Sequence, residues 1–243
     1  MNAWTTRSLQ KELLDADNIP AADLYDNLRE LETINRYLGG HSATIFALNK
    51  LLQHVPAGRP LTIVELGSGG GDNLRAIARY LRKKKQPAQL IGVDLKTDAV
   101  EYARQQSVHF PEIDYVVSDY RLFSAKERPD IVYTSLFCHH LNDEQLVELM
   151  HWCQNNSRAG WFFNDLHRHP LAYHAIRLLT RLFSRSYLVK HDAPLSVKRG
   201  FTKKDWARFL LQFKKYAPVC EAQLYWRFAF RWVLLCYNTN SYL

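Results

Sequence analysis

Residues 61–72, with the sequence LTIVELGSGGGD, constrain the fold more than any other stretch of this chain. An apolar run with strand character reaches the acid Glu65, and a glycine-rich turn then opens a segment with a helical pattern. Gly67, Gly69 and Gly71 let the backbone turn sharply and leave no Cβ between the chain and a ligand lying on the turn. The stretch therefore predicts a strand, a turn and a helix with a ligand site at the turn.

Asp72 distinguishes this turn from the related dinucleotide-binding loop. The dinucleotide pattern G-x-G-x-x-G has glycine at its sixth position, where this chain has Asp72. A carboxylate at a helix N-terminus suits the helix dipole, but it repels a pyrophosphate in the same place. We therefore interpret the loop as a site for a nucleoside without phosphates. S-adenosylmethionine (SAM), with a cationic sulfonium and an amino-acid tail, is such a ligand.

Two further runs with strand character also end on acids. Residues 90–94 end on Asp94, 29 positions after Glu65, and this separation fits one β-α-β unit. Asp94 is then expected at the tip of the neighbouring parallel strand, where it can accept hydrogen bonds from both ribose hydroxyls. Residues 113–119 end on Asp119, which is placed to receive the adenine amino group. Each acid alone is equally typical of a helix cap or a surface loop, but their order and spacing favour a nucleoside site.

Together these features resemble the class I SAM-dependent methyltransferases. The matching residues are the Glu65–Gly71 loop, Asp94, Asp119 and a later strand at 129–135, and the likeness covers residues 58–240. The resemblance implies an α/β fold with a Rossmann-like, seven-stranded, mostly parallel sheet and helices on both faces. It also implies SAM as cofactor and S-adenosylhomocysteine (SAH) as product. The candidate cofactor-binding residues are Glu65, Gly67, Ser68, Gly69, Gly71, Asn73, Asp94, Leu95, Asp119, Tyr120 and Ser135.

Residues 1–57 precede the predicted sheet and form a separate region. Leucine and isoleucine recur at helical spacing between Leu24 and Leu38, and a second helix is predicted over about 42–54. Proline and glycine between residues 55 and 60 are typical of a linker. We expect an N-terminal helical extension that covers the active site, followed by the methyltransferase domain over residues 58–243.

A long insert follows the predicted fifth strand at 160–165. Its residues, about 166–200, are numerous enough to form a helical cap. Arg177, Arg181 and Arg185 repeat every four residues there and predict one basic helix face. That face is either solvated, as on an amphipathic lid helix, or a docking surface for an acidic carrier protein or another anionic surface. An apolar stripe accompanies it, formed by Leu178, Leu179, Leu182 and Phe183.

The candidate catalytic residues follow the fourth and fifth strands. Methyl transfer from a sulfonium is an in-line displacement, so the enzyme supplies positioning and, for a hydroxyl acceptor, a base. Histidine can take a phenolic or enolic proton near neutral pH, and a carboxylate such as Asp165 can orient it. Contacts to SAM or to the following helices are the alternative roles. We expect no metal site, because the metal-binding acids of catechol-type methyltransferases are not evident. The candidates are His139, His140, His167, His169 and Asp165.

A narrower resemblance suggests the acceptor. Residues 164–170 (NDLHRHP), the long insert and the run NRYLGG at 35–40 resemble bacterial methyltransferases of secondary metabolism, some of them associated with polyketide pathways. This likeness implies O-methylation of a small, hydrophobic, phenolic or enolic acceptor. Two alternatives stay open: methylation of RNA or protein, and a non-catalytic subunit with a methyltransferase fold. The intact loop and acids argue against the second.

Net charge, cysteine spacing and hydropathy indicate the expected partners and cellular compartment. The net charge of +8 suits phosphate binding, but the basic run 82–85 is expected at the sheet edge opposite the cofactor, so nucleic acid is not an expected partner. The four cysteines lack C-x-x-C spacing and are expected to be core thiols in a reducing compartment. No signal-peptide pattern and no run of about 20 apolar residues is evident. We expect a cytoplasmic protein without a transmembrane segment.

Overall fold

The computed structural model describes residues 4–16, 18–56, 58–215 and 220–238. Its strands are β1 (Leu61–Leu66), β2 (Ala88–Asp94), β3 (Ile113–Val117), β4 (Ile131–Ser135), β5 (Gly160–Leu166), β6 (Cys220–Arg227) and β7 (Arg231–Asn238). Within the described residues they form one seven-stranded sheet in the order β3-β2-β1-β4-β5-β7-β6. Strands β1 to β5 are parallel, and β7 pairs antiparallel with β5 and β6. The predicted fold class is confirmed.

The helices connect and cover these strands. They are α1 (Ala21–Tyr37), α2 (Gly40–Leu52), α3 (Asp72–Lys83), α4 (Thr97–Gln106), α5 (Asp143–Asn156), α6 (Pro170–Phe183), α7 (Tyr187–Arg199) and α8 (Lys203–Lys214). Short 3₁₀ helices lie at Leu13–Asp15 and Cys138–His140. Among the described residues, no helix combines the length and apolar character needed to cross a bilayer.

The central strands β1, β4, β5 and β7 are buried on both faces, which explains why they are mostly apolar. Ile63 of β1 packs with α2, α3 and α4 on one face. Its neighbours Val64 and Leu66 pack with α5 and α8 on the other. This two-sided burial fixes the register of β1 and places the turn after it at the carboxyl edge of the sheet.

The insert after β5 forms α6 and α7, and α7 supports the N-terminal segment. Asp192 of α7 accepts hydrogen bonds from the backbone N–H groups of Leu13 and Leu14 at 2.8 and 2.9 Å. The Ser196 hydroxyl of α7 donates to Glu12 at 2.8 Å. The helix α7 therefore holds the short helix Leu13–Asp15 against the sheet edge.

The apolar stripe of α6 faces solvent. Leu178, Leu182 and Phe183 are 59%, 65% and 78% exposed. Arg177 and Arg181 of the same helix are exposed too. Because α6 ends at Phe183, the prediction of three arginines on one helix face is wrong for Arg185. A lid helix would bury its apolar stripe on the domain. Because the stripe of α6 is exposed, a lid helix with a solvated basic face does not account for it.

The cysteines differ from the expectation. Cys220 and Cys236 form a disulfide bond between the adjacent strands β6 and β7, so the prediction of four free thiols is wrong for this pair. Cys138 and Cys153 are free and buried, as expected.

Candidate active site

A cavity of about 700 Å³ lies at the carboxyl ends of the parallel strands. The turn between β1 and α3 and the ends of β2 and β4 form its base. Leu14, Leu24 and Leu28, from the short helix Leu13–Asp15 and from α1, line its apolar wall. None of the described residues between 166 and 200 lines it, so its wall comes from the N-terminal extension and not from the insert.

The glycines of the turn have different roles. Gly67 has φ +69°, and a Cβ there would lie 2.5 Å from the ring of Phe137. Gly71 has φ +74°, and a Cβ there would lie 2.1 Å from the hydroxyl oxygen of Tyr115. Gly67 lines the cavity, whereas Gly71 is required by its packing against Tyr115. Gly70, which the pattern did not single out, lines the cavity with Gly67, Ser68 and Gly69.

Glu65 is a buried carboxylate at the end of β1. It is 1% exposed, and its Oε2 atom has no hydrogen-bond partner among the described residues. Burial raises the pKa of Glu65 well above its usual range, and the charge of the nearby Asp72 raises it further. Such an atom needs a cation or a donor, since an unpaired buried carboxylate is costly. The amino group of SAM fits this requirement.

Asp72 links the turn to the N-terminal helices. It accepts hydrogen bonds from Nδ2 of Asn35 at 3.1 Å and contacts Nε2 of His41 at 2.7 Å. Burial acts to raise the pKa of Asp72, but the hydrogen bond and charge of His41 outweigh it, and the pKa is lowered. Asn73, the next residue, accepts a hydrogen bond from the Thr44 hydroxyl of α2. Both acceptors help to fix α1 and α2 over the cavity.

Asp94 and Asp119 lie in the cavity wall at the positions expected for nucleoside contacts. Asp94 accepts hydrogen bonds from the backbone N–H groups of Gly69 at 2.7 Å and Lys96 at 3.0 Å, while burial raises its pKa. Asp119 is paired with Arg121, whose hydrogen bonds lower the pKa of that carboxyl. The other predicted contacts in this wall are Asn73, Leu95, Tyr120 and Ser135.

His139 and His140 follow β4 and are held by different carboxylates. His140 lines the cavity, and its Nδ1 lies 2.8 Å from Oδ1 of Asp15. His139 is buried behind it, with Nδ1 2.8 Å from Oδ1 of Asp165, and the ring centroids are 4.3 Å apart. Burial acts to raise the pKa of Asp165, but the imidazole of His139 outweighs it and the pKa is lowered. The structure thus brings Asp165 to His139 and Asp15 to His140.

The sequence pattern did not single out Glu12 and Asp15, because they precede the sheet by some fifty residues. Nε2 of His139 lies 3.6 Å from Oε1 of Glu12, and Nε2 of His140 lies 3.8 Å from Oε2. Burial raises the pKa of Glu12. The available signal was that both acids lie in an extension expected to cover the active site.

The structure places His167 and His169 away from the cavity wall. The ring of His167 accepts a hydrogen bond from Nε1 of Trp226 at 3.2 Å, and burial lowers the pKa of His167 to about 4. His169 caps α6 by accepting a hydrogen bond from the backbone N–H of Leu171, and its ring stacks on Phe230. His169 thus has the alternative role of a contact to the following helix, and neither histidine is brought to His139 and His140.

This doubly wound sheet, with a glycine turn and acids at its carboxyl edge, has the fold of the class I SAM-dependent methyltransferases. Residues 63–160 match the model of a methyltransferase domain, so the chain carries that domain. The enzyme is a SAM-dependent methyltransferase, and SAM is its cofactor.

Solved structures share the fold. The plantazolicin methyltransferase BpumL in complex with SAH is 17% identical, with a TM-score of 0.66 over 92% of this chain and 91% of that one. Magnesium protoporphyrin IX methyltransferase from Synechocystis with bound SAM is 12% identical, with a TM-score of 0.58 over 91% and 93%. The CMeT domain of the citrinin polyketide synthase is 13% identical, with a TM-score of 0.57 over 79% and 50%. None of the curated protein sequences matches this chain.

Proposed function

We propose that this methyltransferase methylates an oxygen of a small, hydrophobic, phenolic or enolic acceptor, with His140 as the base. One observation carries the proposal: His140 lies in the cavity wall with its Nδ1 held by Asp15. When bound, SAM supplies an electrophilic methyl group on its sulfonium.

The acids of the cavity suit a cationic cofactor. Glu65 offers a buried, unpaired carboxylate oxygen to the amino group of SAM. Asp94, at the end of β2, and Asp119, after β3, line the same cavity. We expect Asp94 to bind the ribose hydroxyls and Asp119 to bind the adenine amino group.

The contact with Asp15 holds the ring of His140 in one orientation and keeps its proton on Nδ1. A hydrogen bond from Nδ1 to a carboxylate leaves the lone pair on Nε2, which is then free to accept the acceptor's hydroxyl proton. His139 and Asp165 pack behind this ring and limit its motion. A base positioned in this way contributes about 10²–10⁴-fold to a proton transfer.

The cavity wall supports a hydrophobic acceptor. Leu14, Leu24, Leu28 and Leu31 present side chains from the N-terminal extension to the space beside the glycine turn. The volume of about 700 Å³ lies within the range of small-molecule sites. One protein of the same fold is a methyltransferase domain of a polyketide synthase, which supports a polyketide-like acceptor class.

A panel of phenolic and enolic acceptors, incubated with methyl-labelled SAM, tests the proposal. We expect O-methylated products by NMR, and His140→Gln should lower kcat by about 10²–10⁴-fold with little change in SAH affinity. His174→Gln, an exposed histidine of α6, is the matched control and should retain activity. Products methylated on nitrogen or carbon, or an undiminished kcat in His140→Gln, would contradict the assignment.

We also propose that the exposed face of α6 docks on an anionic lipid surface. Leu178, Leu182 and Phe183 project into solvent beside Arg177 and Arg181. Exposed large apolar side chains flanked by arginines favour the interface of an anionic bilayer, where both groups are satisfied. An acidic carrier protein is the alternative partner, and vesicle binding distinguishes between the two. The predicted cytoplasmic location stays a prediction.

A further inference from the structure

Three side chains beside the cavity converge on one point. One ligand atom each from Glu12, His139 and His140 lies within 4.8 Å of the other two. Nε2 of His139 is 3.6 Å from Oε1 of Glu12, and Nε2 of His140 is 3.8 Å from Oε2. The residues come from two short helices that are far apart in sequence, Leu13–Asp15 with its N-cap Glu12, and Cys138–His140.

We propose that Glu12, His139 and His140 bind a divalent transition-metal ion, with zinc the best match. Two imidazole nitrogens and one carboxylate oxygen form the donor set of one class of catalytic zinc site, which keeps a fourth position open. Bonds of about 2.0–2.1 Å in a tetrahedron separate ligand atoms by about 3.4 Å. The two separations from Glu12 exceed this by 0.2 and 0.4 Å, and no pair of ligand atoms is farther apart than 4.8 Å, so side-chain movements of about an ångström would close the site.

The outer contacts of both histidines support this assignment. Metal-binding histidines generally donate their second ring N–H to a carboxylate, which fixes the tautomer and orients the ring. Here Nδ1 of His139 lies 2.8 Å from Asp165, and Nδ1 of His140 lies 2.8 Å from Asp15. This arrangement leaves the Nε2 lone pair of each ring for a ligand, and each Nε2 lies within 4 Å of a Glu12 oxygen.

The charges around the cluster favour a cation. The carboxylates of Glu12, Asp15 and Asp165 surround the two imidazoles. The nearby cations are Arg199, with Nε 3.8 Å from Oε1 of Glu12, and Arg7. Arg7 pairs with Asp143 and donates to backbone carbonyls, so it does not occupy the cluster. Arg199 donates to the His139 carbonyl and to Asp15, which leaves the Nε2 atoms accessible to an ion.

This site differs from the expectation of no metal and does not rest on the proposed O-methylation. His140 lines the cavity while Glu12 and His139 are buried, so we expect an ion to reach the cluster from the cavity. An ion there uses the Nε2 lone pair of His140. His140 therefore acts as a base only in the ion-free protein.

Zinc binding by the full-length, untagged protein tests the proposal. The protein is stripped with a chelator and then titrated with Zn²⁺ against a competing chelator, and Co²⁺ is used as a spectroscopic probe of coordination. We expect one ion per chain and tetrahedral Co²⁺ absorption bands. Glu12→Gln and His140→Gln should weaken zinc binding by more than about 100-fold, because second-shell changes alone cost 10–100-fold. Asp15→Asn should weaken it by about 10–100-fold.

His174→Gln is the matched control and should bind zinc like the natural sequence, since its ring lies outside the cluster. Circular dichroism and SAH binding establish that each variant is folded; Asp15→Asn serves as the test if Glu12→Gln is not. Stoichiometric zinc lost in the cluster variants supports the site. No zinc binding, or equal binding by all variants, overturns it. Methyl transfer is measured separately, so failure of the acceptor assignment leaves this result unaffected.

Discussion

At the scale of single residues, Glu65 is expected to make the affinity for SAM depend on pH. Burial raises the pKa of Glu65, so the free protein keeps this carboxyl protonated to a higher pH than usual. A bound ammonium group favours the carboxylate, and binding must then release a proton. Affinity for SAH is therefore expected to rise with pH through the raised pKa.

Calorimetry in buffers of different ionisation enthalpy measures this release directly. The observed enthalpy should vary with the buffer for the natural sequence. Glu65→Gln, which cannot titrate, should lose that variation and bind SAH more weakly. An enthalpy independent of the buffer in the natural sequence would place the amino group elsewhere.

Packing against Tyr115 requires glycine at position 71, so a substitution there is expected to lower the free energy of unfolding. Gly71→Ala places a Cβ 2.1 Å from the hydroxyl oxygen of Tyr115 at φ +74°. Strain and overpacking predict a loss of about 2–4 kcal/mol in the free energy of unfolding, measured with urea. Gly58→Ala is the matched control, since Gly58 has φ +85° and nothing lies within 4 Å of the added Cβ. Equal losses in both variants would show that Tyr115 contributes nothing.

At the scale of elements, α7 is expected to hold the segment that carries Asp15. Asp192 accepts both Leu13 and Leu14 N–H groups, so Asp192→Ala removes two hydrogen bonds from the short helix Leu13–Asp15. Hydrogen exchange at residues 13–15 should become faster, and methyl transfer should fall with it. Asp114→Ala, an exposed acid of β3, is the control. Unchanged exchange in Asp192→Ala would remove α7 from this role.

The sequence predicts elements better than the contacts between them. Strand runs ending in Glu65, Asp94 and near Asp119 locate the SAM edge, because parallel strands bring their carboxyl ends together. His140 meets Asp15 across 125 positions, and no local pattern reports such a pairing. His167 also follows a strand, but β5 pairs with antiparallel β7, and Trp232 of β7 and Trp226 of β6 contact that ring.

At the scale of the molecule, the exposed face of α6 is the surface proposed to bind an anionic lipid bilayer. We expect binding to vesicles that contain anionic lipid, weakening with salt, and little binding to zwitterionic vesicles. Leu182→Ser with Phe183→Ser should reduce binding, as should replacement of Arg177 and Arg181 by Gln. The same number of changes on the exposed face of α4, such as Glu101→Gln and Gln105→Ser, is the control. Binding to an acidic protein instead of vesicles would identify the alternative partner.

The identity of the cofactor site is the central claim, and calorimetry with SAH tests it most directly. Asp94 is expected to bind the ribose hydroxyls, so Asp94→Ala should weaken SAH binding by about 1.5–3 kcal/mol. Asp114→Ala, whose carboxylate lies at the sheet surface, should bind like the natural sequence. The account predicts saturable binding of one SAH per chain and the loss in Asp94→Ala. No binding up to about 1 mM, or unchanged affinity in Asp94→Ala, would contradict it.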